Sequence, residues 1–381
     1  MSNLAELKAL QAKPGRPLYT VVKEAVRAAI DCGRFAPGTQ LPSTKAISEE
    51  MEVSLVTVHR AMQELVANGV LVRGQGRGTF VHEDYARRSA LAHGLRFGLV
   101  FHVESSLADA YHGQILEGVR QRANELGVDL VLLRFGEDTR NECQGYLYVN
   151  PFPEQLTKPL RFGMKAPSMN GHNHNGFRDR DERQLAVTVV GARFAIQGAN
   201  VIDTDNAGVG RQAVEHLHSL GHKRLGFVGG AGGVSNDIDR WLGFQDTVER
   251  LNCEVRPTHV IRHAGWRLDD TGRRELVKML TSPDRPTAIF AAGYYYALDV
   301  YSAAAEAGLK IPQDVSVIGV DDPPSASHLS PALTTFRQPL IHLGRMAVGG
   351  LFEMVTSQEK VPHQTTLPAE LVVRGSTMPR G

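Results

Sequence analysis

The chain has 381 residues, of which 42% are apolar and 22% are charged, and its formal net charge is +1. These values exclude a disordered or fibrous chain, and they exclude a protein that attracts nucleic acid through its overall charge. The three cysteines, Cys32, Cys143 and Cys253, are odd in number and far apart. They provide neither a disulfide framework nor a paired-cysteine zinc site.

The N-terminal residues show no apolar signal-peptide core, and no stretch reaches the ~18–20 apolar residues of a membrane span. We therefore expect a cytoplasmic protein with no membrane partner. The charge is unevenly distributed, because residues 1–81 carry ten Lys or Arg and seven Asp or Glu. A mild basic excess of this kind is compatible with a small DNA-binding domain.

The N-terminal segment predicts three short helices followed by two strands. Apolar residues recur at helical spacing over 18–32, about 44–51 and 54–68. Residues 70–73 and 79–81 have the composition of strands on either side of a glycine-rich turn. This order is that of a winged helix-turn-helix, in which the third helix lies in the major groove of DNA.

The candidate DNA contacts lie at the start of the third helix and at the tip of the wing. Arg60 has the guanidinium fork that recognises guanine, and Arg77 suits the minor groove. Ser54 and Thr57 can reach phosphates or base edges. Both are also ordinary capping residues, and a solvated surface charge is the alternative for Arg60. The full candidate set is Lys45, Ser54, Leu55, Thr57, His59, Arg60, Gln75, Gly76 and Arg77.

Residues 17–81 resemble the DNA-binding domain of the gluconate-repressor (GntR) family along their whole length. The resemblance implies that the partner is a double-stranded DNA operator. The family often has arginine at the positions of Lys45, Leu55 and His59. The operator sequence of other family members is therefore not assigned to this chain. The shared segments are Pro17-Leu18-Tyr19, Gly33 with Pro37-Gly38, Leu41-Pro42-Ser43, Val53-Ser54 with Thr57-Val58, and Gly76-Arg77-Gly78-Thr79-Phe80-Val81.

Strand and helix patterns alternate from residue 96 onward, which is typical of a doubly wound α/β fold. The segment is long for one sheet, so two similar lobes are expected. The predicted fold class is therefore α/β, with an N-terminal winged helix-turn-helix and a two-lobed body. The expected division is 1–81 for the DNA-binding domain, 82–95 for a linker, 96–203 with 338–355 for lobe 1, and 204–337 with 356–381 for lobe 2.

The body resembles the effector domain of the lactose/galactose repressor (LacI/GalR) family, which is related to periplasmic sugar-binding proteins. The segments that carry the resemblance include Asp239-Arg240-Trp241-Leu242-Gly243-Phe244, Val317-Ile318-Gly319-Val320-Asp321-Asp322 and Leu333-Thr334-Thr335 with Gln338. The resemblance implies a carbohydrate effector in the cleft between two lobes and a homodimer. It implies effector contacts at Ser105, Tyr111, Arg240, Trp266, Tyr294, Asp321 and Gln338.

Structural roles for the same residues stay open at this stage. Arg240 and Asp321 can pair with each other across the cleft, and Trp266 can belong to the core. Tyr294 stands in a run of three tyrosines where the family often has a polar pair. The effectors of other family members are therefore not assigned to this chain. Residues 134–186 fit the family poorly.

Two further patterns suggest other ligands only weakly. The glycines at 229–233 match neither of the common nucleotide-binding fingerprints, so a tight turn is expected there. His172 and His174 have the spacing of metal ligands but no third ligand nearby, so a loop is expected. We therefore predict no cofactor and no metal.

The combination of a DNA-binding domain and a sensor domain predicts a ligand-responsive transcription regulator of the arabinose-repressor type, acting as a repressor. No nucleophile elbow, Walker loop or HExxH segment is present, so no catalytic activity is predicted. Two other classes of protein share parts of this pattern: an enzyme fused to a DNA-binding domain and a solute-binding protein. The first requires a longer body, and the second a signal sequence.

Overall fold

The structure is a computed structural model of the whole chain. It describes residues 17–31, 34–74, 78–83, 85, 94–101, 109–134, 143–151, 186–193, 198–230, 233–263, 265–357 and 362–380. The chain divides into two compact units, which are described separately. The first takes in Met1–Leu95 with Asn124–Asp129, and the second takes in Arg96–Ala123 with Leu130–Gly381.

The first unit has three helices and a two-stranded antiparallel sheet, as the sequence predicts. One apolar core joins all of these elements, and it includes Val26, Ile47, Val58 and Leu71. The elements are α1 (Leu18–Asp31), α2 (Thr44–Met51), α3 (Leu55–Ala67), β1 (Leu71–Gly74) and β2 (Gly78–Val81).

Local capping defines the ends of the short helices in this unit. The side chain of Ser43 accepts a hydrogen bond from the backbone N–H of Ala46, and Ser54 accepts one from Thr57. Such N-caps satisfy backbone donors that have no partner inside the helix. Gly69 follows α3 with a φ of +67°, a conformation that glycine adopts without strain. The caps fix where α3 begins, and with it the side chains of its first turn.

The second unit contains two six-stranded sheets. The first lobe contains β3 (Arg96–Phe101), α4 (Ala110–Leu126), β4 (Asp129–Arg134), β5 (Gly145–Val149), β6 (Ala186–Val190), β7 (Asn200–Thr204), α9 (Leu340–Thr356) and β13 (Gln364–Leu367). Its strands are ordered β13-β7-β6-β5-β3-β4. The second lobe contains α5 (Asn206–Ser219), β8 (Leu225–Gly230), α6 (Ser235–Arg250), β9 (Val260–His263), α7 (Asp270–Thr281), β10 (Ala288–Ala291), α8 (Tyr294–Glu306), β11 (Ser316–Val320), β12 (Thr334–Arg337) and β14 (Glu370–Val372). Its strands are ordered β14-β12-β11-β10-β8-β9. Neighbouring strands are parallel in the pairings among β3, β5, β6, β7 and β13, and only β14 runs antiparallel to its neighbour in the described pairings of the second sheet.

Within the described residues, the chain passes between the lobes at three places. These are Asp205, the pair Gln338-Pro339, and residues 368–369. The backbone N–H of Asp205 donates to the carbonyl of Leu367 at 2.8 Å, so the first crossing is hydrogen-bonded to the residue that precedes the third. The last crossing follows β13, whereas the sequence-based division placed it near residue 356.

Helices α5 and α6 pack at unusually short range. A Cβ added to Gly243 would collide with the backbone carbonyl of Ala207, and one added to Gly210 would collide with that of Arg240. Glycine is therefore required at these positions because backbone meets backbone. This contact brings Asn206 at the start of α5 next to Arg240 on α6.

We expect Gly243→Ala to destabilise the protein, because its new methyl group has no space against Ala207. Overpacking of this kind costs about 1–3 kcal/mol, and the melting temperature should fall by several degrees. Gly349→Ala is the matched control, since the nearest atom to a Cβ there is Nε of Arg122 at 3.8 Å. That variant should be as stable as the wild type or more stable, because alanine favours the helix. Equal melting temperatures for the two variants would contradict the packing described here.

Candidate functional site

The outer face of α3 carries the candidate DNA contacts of the first unit. Leu55, Val56, His59 and Arg60 are all exposed, while the opposite face of the helix is in the core. The hydroxyl groups of Ser54 and Thr57 lie 2.7 Å apart and hydrogen-bond to each other. The capping role considered for these two residues is therefore present, and it holds both hydroxyls at the start of the helix.

Arg60 is held by neighbouring side chains. Its guanidinium carbon lies 3.9 Å from the ring centroid of Tyr19 on α1. Its Nε lies 3.8 Å from a carboxylate oxygen of Glu64. Stacking on an aromatic ring restricts an arginine without removing its charge. Lys45 on α2 is exposed and lies 3.9 Å from Glu49.

The described residues of the wing are its two strands. Gln75, Gly76 and Arg77, the predicted contacts at the wing tip, lie outside the described residues. Gly78 opens β2 with a φ of +109°, which a residue with a side chain rarely adopts.

The second unit has a cavity of about 600 Å³ between its lobes. Residues of α4 line one side, while the ends of β10 and β11 and the start of α6 line the other. Ligand sites in open α/β sheets occur at such carboxyl ends of strands. Ser105 lies outside the described residues. The structure brings the other predicted effector contacts together in this cavity, namely Tyr111, Arg240, Trp266, Tyr294, Asp321 and Gln338.

Arg240 is buried and bonded to neutral groups. Its Nε donates to Oδ1 of Asn206 and its Nη1 to the carbonyl of Ala292, both at 2.8 Å. The sequence left open a direct pair between Arg240 and Asp321 across the cleft. Both residues instead belong to the second lobe, and these two bonds to neutral groups are the ones that orient the guanidinium.

Asp321 lies at the end of β11 with a φ of +70°. Its Oδ1 accepts a hydrogen bond of 2.5 Å from Nε2 of Gln338, and the amide oxygen of Gln338 accepts one of 2.6 Å from the hydroxyl of Thr204. Burial raises the pKa of Asp321, although nearby Arg240 and the bond from Gln338 oppose the rise. Gln338 therefore links the cavity to both lobes, because Thr204 ends β7 of the first sheet.

The cavity also contains polar residues that the sequence analysis missed, among them Asp109, Asn150 and Asp237. Burial raises the pKa of Asp237 to about 6, against the opposing charge of Arg240. Oδ1 of Asn150 is buried and has no hydrogen-bond partner among the described residues. Asp237 could have been found from its position, since it lies one helical turn before Arg240.

Aromatic rings form part of the cavity wall. Trp266 is 40% exposed, so the alternative that it belongs to the core is wrong. Tyr294 and Tyr295 pack edge to face with centroids 5.7 Å apart. The hydroxyl of Tyr294 bonds to Ser325 at 2.7 Å and that of Tyr296 bonds to the carbonyl of Gly265 at 2.5 Å. Burial raises the pKa of the Tyr111 phenol well above its usual value.

Family models match both units. Residues 18–81 match the bacterial regulatory proteins of the gntR family, and residues 214–377 match a periplasmic binding protein-like domain. The chain is 30% identical over 273 residues to the HTH-type transcriptional repressor CytR of Escherichia coli, covering 71% of this chain and 76% of that one. This chain belongs to the bacterial transcriptional regulators that join a gntR-family domain to a periplasmic-binding-protein-like domain.

A second relative covers nearly the whole regulator. The arabinose metabolism transcriptional repressor of Geobacillus stearothermophilus is 25% identical over 373 residues, which are 95% of this chain and 98% of that one. A solved structure, the transcriptional regulator CelR–cellobiose complex, aligns with a TM-score of 0.62 at 22% identity over 88% of this chain and all of that one. The family resemblance of both domains and the predicted fold class are confirmed. The chain is a DNA-binding transcription regulator and not an enzyme with a DNA-binding domain.

No helix in the described part of the regulator is both long and apolar enough to cross a bilayer. His172 and His174, the weak metal candidates, lie outside the described residues.

The buried carboxyl of Asp237 leads to a pH-dependent prediction. Its pKa is about 6 in the folded protein and roughly 4 in the unfolded chain. Between these values the folded state keeps a proton that the unfolded state has released, so this residue makes wild-type stability fall as the pH rises from about 4 to about 6. Asp237→Asn removes the titration. Its melting temperature minus that of the wild type should therefore be several degrees larger at about pH 7.5 than at about pH 4.5.

Asp246→Asn is the matched control, because Asp246 lies on the same helix and is exposed. Its melting temperature should follow that of the wild type at both pH values. If Asp237→Asn behaved in the same way as this control, Asp237 would not be a buried ionised group.

Proposed function

We propose that this regulator is a repressor whose operator binding is controlled by a carbohydrate effector bound in the cavity between the lobes. The observation that carries the proposal is the convergence of Arg240, Asp321 and the face of Trp266 on one cavity. Small-ligand sites combine apolar walls with a few convergent polar groups in this way.

The chemistry of the cavity suits a compound rich in hydroxyl groups. The carboxylates of Asp109, Asp237 and Asp321 accept hydrogen bonds from hydroxyls, and Asn150 offers a buried oxygen that has no partner among the described residues. Arg240 has donors in addition to the two that bind Asn206 and Ala292. Trp266 and Tyr295 provide flat apolar surfaces against which a sugar ring can stack. On this basis we assign the effector contacts to Tyr111, Arg240, Trp266, Tyr294, Asp321 and Gln338, with Ser105 as a further candidate.

The names of similar proteins support a carbohydrate. One relative is named for arabinose metabolism, and one structural neighbour was solved with cellobiose. The two sugars differ in size, so they support the class of ligand and not its identity.

We further propose that the regulator acts in the cytoplasm as a homodimer bound to double-stranded DNA. Residues 1–81 bind the operator, 82–95 connect the domains, and the two lobes from residue 96 onward bind the effector. A dimer presents two α3 helices to two half-sites, which is how helix-turn-helix proteins obtain affinity and spacing.

Closure of the lobes is the step that we propose the effector controls. Arg193 of the first lobe forms a two-pronged ion pair with Asp239 of α6, at 2.6 and 3.0 Å. Its backbone N–H donates to the hydroxyl of Ser235 at 2.7 Å. These bonds join the two lobes in the structure, and an effector that touches both lobes would add to them. A few kcal/mol of differential affinity is enough to shift such an equilibrium.

The proposal is tested with the full chain, an operator selected from random duplex DNA, and a panel of pentoses, hexoses and disaccharides that includes L-arabinose and cellobiose. At least one sugar should raise the melting temperature by several degrees and change operator affinity at least about fivefold. Asp321→Asn should bind the operator normally but lose both responses. Asparagine is the appropriate replacement because it tolerates the positive φ of Asp321.

Asp246→Asn serves again as the control and should respond as the wild type does. A response that survives in full in Asp321→Asn would place the effector outside this cavity. Sequence-specific DNA binding without a response to any sugar of the panel would contradict a carbohydrate effector.

A further inference from the structure

Two adjacent apolar side chains project from the first turn of α3 into solvent. Leu55 is 52% exposed and Val56 is 79% exposed. The apolar residues that pack α3 into the core lie on its other face and include Val58, Ala61 and Leu65. Leu55 and Val56 therefore contribute little to the core, and their apolar surface is left for a partner.

Three polar side chains near this pair make contacts within the protein. The hydroxyls of Ser54 and Thr57 bond to each other, and Ser54 also caps the backbone of Thr57. Arg60 stacks on Tyr19 and lies beside Glu64. Leu55 and Val56 are the side chains of this turn that make none of these bonds, and their exposed surface is available to a base edge.

The charge around the pair favours DNA over a protein partner. The first turn of α3 contains no acidic residue, and the positive end of the helix dipole lies there. Lys45 is exposed on the preceding helix. A phosphate backbone is attracted to such a surface, and the gntR-family match covers these residues.

The major groove of DNA offers one prominent apolar group, the C5-methyl group of thymine. The first residues of a recognition helix are those that meet base edges in helix-turn-helix complexes. An exposed leucine next to an exposed valine matches a methyl group in size and polarity, and neither can hydrogen-bond to a base.

We propose that Leu55 and Val56 recognise thymine methyl groups, so that each operator half-site contains at least one thymine whose methyl group is required for full affinity. This inference rests on the operator binding proposed above. It assigns to these two residues a part of sequence recognition that the hydrogen-bonding residues of the helix do not provide.

The test replaces thymine by deoxyuridine, which removes the methyl group and keeps the Watson–Crick hydrogen bonds. The operator is first selected from random duplex DNA with the full chain. Each thymine of the selected half-site is then replaced singly, and affinity is measured by fluorescence anisotropy at fixed salt. At one or two positions, deoxyuridine should weaken binding about three- to fivefold, the value expected for loss of one buried methyl group.

Variants then assign the effect to these residues. Leu55→Ala and Val56→Ala should bind thymine and deoxyuridine operators with nearly equal affinity at the position that each side chain contacts. Leu132→Ala is the control: Leu132 is 51% exposed and lies on β4. It should keep the full preference for thymine.

Operator selection tests DNA binding, whereas deoxyuridine replacement tests recognition of the methyl group. If no DNA sequence is selected, the proposed operator binding fails. If a sequence is selected but full replacement by deoxyuridine changes affinity less than about twofold, the inference is overturned. It is also overturned if both alanine variants keep the thymine preference, because another group would then read the methyl.

Discussion

One side-chain amide, that of Gln338, joins the cavity of this regulator to the segments that connect its lobes. Gln338 accepts a hydrogen bond from Thr204 in the first lobe and donates one to Asp321 in the second. The residue itself stands in a crossing between the lobes and also lines the cavity. A ligand that bonds to Asp321 or to Gln338 would therefore change the hydrogen bonds that set the position of one lobe relative to the other. We infer that this amide is the route by which effector binding changes lobe closure.

The cavity retains charged groups at a cost to folding. Burial raises the pKa of Asp237 to about 6 and also raises the pKa of Asp321, which means that their ionised forms are disfavoured inside the protein. Arg240 offsets part of this cost, and it is held in place by neutral partners. These buried carboxylates lower the stability of the folded protein. They suit a ligand that supplies hydrogen-bond donors, because such a ligand bonds to carboxylate oxygens that burial has removed from water.

The sequence predicted much of the fold because its signals were local. Ser43, Ser54 and Gly69 marked helix ends, and apolar runs marked most of the parallel strands. The short strands β9, β12, β13 and β14 were not predicted individually, since pairing with distant strands stabilises them. The helix α9, which packs on the first sheet, was not predicted either. The sequence predicts helices that begin at Arg240 and at Leu298, but α6 and α8 begin earlier, at Ser235 and Tyr294. The described residues that the family resemblance named as effector contacts all line the cavity. Asp237 and Asn150 were missed, because their importance depends on burial, which the sequence does not show.

Coupling between the two ligands is the most direct test of the role given to Gln338. The quantity to measure is the ratio of operator dissociation constants with and without saturating effector, in wild type and in Gln338→Met. The account predicts a folded variant that binds the operator normally and the effector more weakly. At saturating effector its ratio falls close to one, because methionine cannot bridge Thr204 and Asp321. A variant that binds both ligands and keeps the wild-type ratio would contradict the account.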